Sequence, residues 1–182
     1  MAETYSLARL RARVENERRR LGIAPHPTLD TPEPVRHDDR RRPVSGIGEI
    51  VAQVEEATAI RLLLASRSPE DLEAACTWAR EWSDRLAGTG RTHAHLLAER
   101  LCVASLAAAG HETAAKKTLA TIAAICARLG LTRVLPDGGP LVVALLTDLR
   151  DDHLAGNWQP DWPDVSRNFL DDMNDAASPY TM

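Results

Sequence analysis

His93 and His95, in RTHAHLL, are the side chains whose type and spacing most directly suggest chemistry. Imidazole nitrogen is a common zinc ligand, and two histidines close in sequence could supply two ligands of one site. The flanking residues favour a helix, in which side chains two residues apart point about 200° apart. Two such histidines do not reach the same ion, so we interpret both as surface residues and predict no metal site.

Two pairs of adjacent acids and one Gly-x-Gly sequence are the other patterns that could catalyse a reaction or bind phosphate. Glu55–Glu56 and Asp151–Asp152 have no nucleophile or base near them in sequence, so we interpret them as solvated helix faces. The segment SGIGEI, from Ser45 to Ile50, could cradle a phosphate at a helix start. It lacks a preceding strand and a third glycine, which favours a simple helix cap. The sequence therefore predicts no catalytic residue, no cofactor and no enzymatic activity.

The three cysteines, Cys76, Cys102 and Cys126, are an odd number and form no Cys-x-x-Cys pair. A disulfide framework and a zinc site are therefore not expected, and each thiol is predicted to be a small core residue. The first twenty residues are charged throughout, and no stretch approaches the roughly 20 apolar residues that span a membrane. We expect a cytoplasmic chain that does not contact membranes.

Four tryptophans are the candidates for a partner or effector surface. Trp78 and Trp82 lie four residues apart, which places them on one face of a helix. They are either packed in the core or line a groove for a partner, since indole rings contribute strongly to interfaces. Trp158 and Trp162 lie in NWQPDWPD, a segment interrupted by prolines. They either hold this tail on the rest of the chain or await a partner.

The composition indicates the kind of fold that must position these side chains. Hydrophobic residues make up 44% of the 182 residues, but aromatic residues only 4%. A core of Ala, Leu, Val and Ile favours closely packed helices over a sandwich or barrel. The sequence predicts an all-α protein.

The distribution of prolines and apolar residues divides the chain into four parts. Residues 1–21 form a charged N-terminal helix, residues 22–45 a linker with five prolines and an Arg-rich stretch, and residues 46–155 the helical-repeat domain. Residues 156–182 are an acidic tail with room for one short helix. The chain has a basic start, an acidic end and a net charge of −4. Since it has no basic recognition helix, we expect no specific nucleic-acid binding.

The central part is predicted to be an internal repeat of two antiparallel helix pairs, about 48–88 and 91–130. Gly88 and Gly130 end corresponding helices 42 residues apart. Ser68 is the predicted N-cap of the second helix. Two stacked pairs form a short α-solenoid of tetratricopeptide-like type. The residues of the first helix expected to face inward are Ile50, Val54, Ala57, Ile60, Leu63 and Leu64.

The segment RVLPDGGPLVVALL interrupts this helical pattern and is predicted to be an ordered turn followed by a capping helix. Glycines supply backbone angles that other residues resist, and Pro140 suits the first turn of a helix. The capping helix would cover the open end of the solenoid, which repeat proteins need for solubility. Its inward residues are predicted to be Leu141, Ala144, Leu145 and Leu149.

The same segment resembles the end of the helical sensor region in LuxR-type, MalT-like transcription regulators. GHETAAKKTLATIAAICARLGLTRV also fits, and the resemblance covers about residues 48–155. At Leu135 an aromatic residue is common in that family. The residues that match are Arg133, Val134, Asp137, Gly138 or Gly139, Pro140, Leu145 and Leu146.

The resemblance implies a non-catalytic regulatory module that binds a partner protein or a small effector and signals to other domains. It extends to mycobacterial-type serine/threonine protein kinase K, in which a kinase is followed by MalT-like sequence. The chain has no G-x-x-x-x-G-K-[ST] motif and no helix-turn-helix after Asp152, which suits the kinase alternative. A stand-alone interaction scaffold is the third alternative.

Overall fold

The computed structural model describes residues 47–177, and these residues are helical without any strand. The predicted helix at 4–21 and the linker at 22–45 lie outside the described residues. The all-α class predicted from the sequence is confirmed, and the packed helix pairs are consistent with a short helical solenoid. The helices are α1 (Ile47–Ser66), α2 (Pro69–Leu86), α3 (Thr92–Ala108), α4 (Glu112–Leu129), α5 (Pro140–Leu154) and α6 (Arg167–Ala177), with a 3-10 turn at Pro136–Gly138.

The chain divides into two compact units, Met1–Trp78 and Ala79–Met182, and helix α2 contributes to both. In the first unit, α1 and α2 are joined by two residues, which makes them antiparallel. Arg67 in this connection has a left-handed backbone with φ 56°. The Ser68 hydroxyl accepts a hydrogen bond of 3.2 Å from the Asp71 amide, which makes Ser68 the N-cap of α2, as predicted.

Polar side chains link α1 to α2 within this unit. The Trp78 indole donates a hydrogen bond of 2.5 Å from Nε1 to Oε2 of Glu56. The Ser66 hydroxyl donates to Oδ2 of Asp71 at 2.6 Å. Glu56 is only 7% exposed, so the prediction that it lies on a solvated face is wrong. An acceptor stabilises a buried indole N–H, and Glu56 supplies it here.

The inward face of α1 also differs from the predicted one. Ile60 and Leu63 are buried as expected, but Ile50 and Val54 are each 60% exposed. The predicted stripe is broad, and only its C-terminal half, close to the connection with α2, is buried. The N-terminal part of the prediction is therefore wrong.

In the second unit, α3 and α4 form a close antiparallel pair, and both α3 and α4 contact α5. Gly130 ends α4 in a left-handed conformation with φ 66°. Small side chains on both helices allow close approach of the two backbones. The buried small residues of the pair are Ala98, Cys102, Ala104, Ser105, Ala115, Ala120, Ala123, Ala124 and Cys126.

Helix α5 is the predicted capping helix, but its buried face is rotated from the predicted one. Leu145 and Leu149 are buried as expected, whereas Leu141 is 47% exposed and Ala144 is also exposed. The positions buried instead are Val142, Val143 and Leu146. The prediction for Leu141 and Ala144 is wrong because the apolar run LVVALL offers several possible inward faces and contact with the preceding turn selects among them.

The acidic tail contains helix α6, which packs on α5. Its buried side chains are Leu170, Met173 and Ala177. The Thr147 hydroxyl of α5 lies 3.0 Å from Oδ1 of Asn174, so polar contacts add to this apolar packing. No helix among residues 47–177 is long and apolar enough to cross a membrane.

Candidate functional site

The two histidines both lie on α3, but they have different surroundings. His93 is exposed. Nε2 of His95 lies 3.7 Å from Oε1 of Glu99, one helical turn away. Ser83 of α2 donates its hydroxyl to the same Glu99 oxygen. Within residues 47–177, no group of three His, Cys, Asp or Glu side chains could hold a metal ion.

Ser83, Glu99 and His95 are the residue types of a hydrolase triad, but their spatial arrangement does not activate the serine. In such a triad the histidine lies between the serine and the acid and removes the serine proton. Here the carboxylate lies in the middle and accepts the serine hydroxyl directly. Ser83 is also only 2% exposed, so a substrate has no access to its oxygen. The arrangement joins α2 to α3.

Trp78 and Trp82 are both buried, at 1% and 5% exposure. Trp78 belongs to the first unit, where its indole N–H is bonded to Glu56. Trp82 belongs to the second unit. Their burial favours core packing over the alternative of a partner groove.

The capping turn, residues 133–140, has an ordered backbone in which residues three or four positions apart are hydrogen-bonded. The Asp137 amide donates to the Arg133 carbonyl at 3.1 Å, and the Gly138 amide to the Leu135 carbonyl at 2.8 Å. Leu135, where the resembling family often has an aromatic residue, is fully buried. Gly139 has φ 92° and ψ 177°, a region that side-chain-bearing residues avoid, and Pro140 begins α5.

Arginines attach the capping turn to helices on either side. Arg100 of α3 donates from Nη1 to the Val134 carbonyl at 2.6 Å. Arg133 donates from Nη1 to the Ala176 carbonyl of α6 at 3.2 Å and forms an ion pair of 3.0 Å with Asp137. The turn thus contacts both α3 and α6. Sequence reasoning identified Arg133 and Asp137, but it missed Arg100, which lies 34 residues away from its acceptor.

Gly138 lies where the capping turn comes closest to its neighbours. A Cβ at this position would be 2.9 Å from Cδ of Arg100 and 2.9 Å from both Cβ and Cγ2 of Val142. No side chain fits without movement of one of these groups. The two adjacent glycines therefore have different tasks: Gly138 leaves space, and Gly139 adopts the backbone angles of the turn.

The strap, residues 155–166, connects α5 to α6 and contains the other two tryptophans. Trp162 is 9% exposed and Trp158 is half-buried. Their ring centroids are 5.3 Å apart with planes at 85°, and the ring of His153 lies 5.0 Å from Trp158 at 71°. Such edge-to-face contacts are favourable between aromatic rings. Among the described residues, no group accepts a hydrogen bond from the buried Nε1 of Trp158.

Two adjacent lysines of α4 bind acids at the end of α5 and in the strap. Nζ of Lys116 lies 2.8 Å from Oδ2 of Asp152, and Nζ of Lys117 lies 2.6 Å from Oδ2 of Asp161 in the strap. The hydrogen bond to Asp152 raises the pKa of Lys116 above its ordinary value. The hydrogen bond from Lys117 holds the pKa of Asp161 below its ordinary value.

Sequence reasoning did not single out these lysines, although one signal was present. They are the only two lysines among 22 basic residues, and they are adjacent.

The adjacent acids Asp151 and Asp152 also differ in part from the prediction that both lie on a solvated face. Asp151 is exposed beside Arg150, as a solvated face requires, whereas Asp152 is partly buried against Lys116.

No protein-family model matches this chain, and no solved structure matches it. It is similar to serine/threonine-protein kinase PknK from two strains of Mycobacterium tuberculosis and from Mycobacterium bovis, with 40% identity over 142 residues in each case. The similarity covers 76% of this chain but only 12% of the length of each kinase. The chain is therefore related to one region of these kinases.

Proposed function

We infer that this chain is a non-catalytic regulatory module of a PknK-like bacterial signalling protein, in which it binds a partner protein or an effector and influences attached domains. The observation that carries the proposal is the 40% identity to one region of the PknK kinases. The ATP-binding lysine of a protein kinase lies on a β-strand, whereas residues 47–177 contain helices and no strand. A regulatory task fits a helical region better than phosphoryl transfer does.

The half-buried Trp158 is the candidate contact for a partner among the tryptophans. Trp78, Trp82 and Trp162 are buried. A partly exposed indole offers apolar contact area to a partner. A cytoplasmic location, the absence of specific nucleic-acid binding and the tetratricopeptide-like type of repeat belong to the same proposal. The LuxR-type alternative stays a prediction from the sequence alone.

A chimeric kinase tests the proposal. The matching region of Mycobacterium tuberculosis PknK is deleted, or replaced by residues 47–182 of this chain, and autophosphorylation is measured. We expect the deletion to change the rate at least about fivefold and the chimera to restore it to within about twofold, because the related sequences share a fold and a task. A deletion without effect, or a chimera that behaves like the deletion, would contradict a regulatory role.

Two further measurements separate the parts of the proposal. The chain alone, incubated with ATP and a generic peptide substrate, should transfer no phosphate, and transfer would contradict the non-catalytic assignment. In the chimera, Trp158→Ala should weaken regulation, whereas the exposed neighbour change Gln159→Ala should not. Equal behaviour of these two variants would exclude Trp158 as the contact.

A further inference from the structure

The chain has its two side-chain amines at adjacent positions of α4, where one contacts α5 and the other contacts the strap. Twenty of its 22 basic residues are arginines, and the remaining two are Lys116 and Lys117. We propose that Lys117 is a site of Nε-acylation by acyl thioesters, and that this modification releases Asp161 of the strap from α4 and increases the exposure of Trp158. The proposal does not depend on the kinase-related function.

The two amines differ in access to a reagent. The Lys117 side chain is 58% exposed and its partner Asp161 is 62% exposed. The Lys116 side chain is only 15% exposed and is bound both to Asp152 at 2.8 Å and to Glu112 at 3.4 Å. An acyl donor can therefore approach Lys117 while the strap is in place, whereas Lys116 is bound on one side by Asp152 of α5 and on the other by Glu112 of its own helix.

The charge state of Lys116 adds to its poor access. Acylation requires the neutral amine, because only its lone pair attacks a carbonyl carbon. The hydrogen bond from Lys116 to Asp152 raises the pKa of Lys116, which keeps its amine protonated and unreactive. Poor access and a raised pKa thus both protect Lys116 from acylation.

The reaction balances without any further reagent. The neutral Nζ of Lys117 attacks the thioester carbonyl carbon, the new C–N bond forms, and the C–S bond breaks as the thiolate leaves. The nitrogen loses one proton, which the thiolate takes up. The products are an uncharged amide on Lys117 and a free thiol, and no oxidation or reduction occurs.

Loss of the charge on Lys117 removes the ion pair that holds Asp161. Asp161 directly precedes Trp162 and lies three residues after Trp158, so its release acts on the centre of the strap. The strap is poised to open there, because the buried Nε1 of Trp158 has no acceptor among residues 47–177 while the strap is closed. Opening gives this donor to water, which offsets part of the lost aromatic contact.

Acetylation of the full-length chain by acetyl-coenzyme A, followed by peptide mapping in a mass spectrometer, tests the selectivity. We expect Lys117 to react at least about fivefold faster than Lys116 in the folded chain, and the two to react within about twofold of each other in concentrated urea. Mapping also separates both from the amine at the chain terminus. A Lys116 rate equal to that of Lys117 in the folded chain would overturn the proposal.

Hydrogen–deuterium exchange tests the consequence. Acetylated protein should exchange at least about twofold faster over residues 155–162, with no change over α6. Lys117→Gln should reproduce this result, Lys117→Arg should not because it keeps the charge, and Asp161→Asn should resemble Lys117→Gln because it removes the same ion pair. Unchanged exchange in the acetylated chain and in Asp161→Asn would show that the ion pair does not hold the strap, and the proposal would fail.

Discussion

Replacement of Gly138 by alanine tests whether the capping turn is packed as tightly as its geometry indicates. The added methyl group would lie 2.9 Å from Cδ of Arg100 and from Cβ and Cγ2 of Val142. Arg100 can shift, although it would lose its 2.6 Å hydrogen bond to the Val134 carbonyl. Val142 is fully buried near the start of α5, so its Cβ moves only if the helix moves.

The expected loss of stability follows from this overpacking. Adding a methylene to a well-packed position typically costs about 1–3 kcal/mol. For a protein of this size, each kcal/mol lowers the Tm by roughly 2–4 °C. We therefore expect Gly138→Ala to lower the Tm by about 2–12 °C, measured by circular dichroism at 222 nm.

Asparagine substitutions separate this steric cause from an effect of backbone angle. Gly130 has φ 66° and open space around it, so asparagine, which tolerates a left-handed backbone, should be milder there than alanine. At Gly138 the order should reverse, because asparagine is larger and the limit is space. If Gly138→Ala melts with the wild type, or if asparagine is the milder change at both glycines, the close packing of the turn is refuted.

Three other changes have expected outcomes that depend on burial and charge. Leu145→Asp should cost roughly 3 kcal/mol or more because it buries an unpaired charge, whereas the exposed control Asp148→Ala should melt close to the wild type; equal melting would mean that α5 is not packed. Burial raises the pKa of Cys126 to about 11, so its alkylation at pH 8 should be at least ~10-fold slower in the native chain than in urea, as peptide mapping will show. The hydrogen bond to Asp152 is the main cause of the raised pKa of Lys116. The protonated Lys116 therefore contributes fully to folding stability below pH 10.5, its ordinary pKa, and this contribution is lost as the pH rises through the higher pKa of the folded chain. Lys116→Met should reduce the decline in Tm between pH 9 and 12, and an identical decline would contradict the assignment.

The positions of the helices were predictable because their ends carry local signals. Ser68 caps the start of α2, Gly130 ends α4, and Pro140 begins α5. Each of these residues lies at the helix end that it determines. Local signals do not determine which face of a helix is buried when the apolar run is broad. Leu141 was predicted to face inward and is exposed, because Val142 instead contacts the capping turn at Gly138.

The polar contacts that join helices were less predictable, since their partners are far apart in sequence. Glu56 looked like half of a solvated pair, yet it accepts the hydrogen bond of Trp78, 22 residues away. One signal was available: residues 56 and 78 are equally distant from the connection at Arg67, so a helical hairpin places them together. No comparable signal links Arg100 to the carbonyl of Val134.

The small side chains between α3 and α4 have a consequence for how this sequence can evolve. Ala115, Ala120 and Ala123 are fully buried, so almost every substitution open to them adds volume to a filled space. Neutral substitution at these three positions is confined to alanine, glycine, serine and cysteine. Related sequences should therefore preserve the total side-chain volume at these positions more closely than the residues themselves. Leu96 and Leu119, also fully buried, are constrained in the opposite direction, because most of their accessible substitutions leave a void.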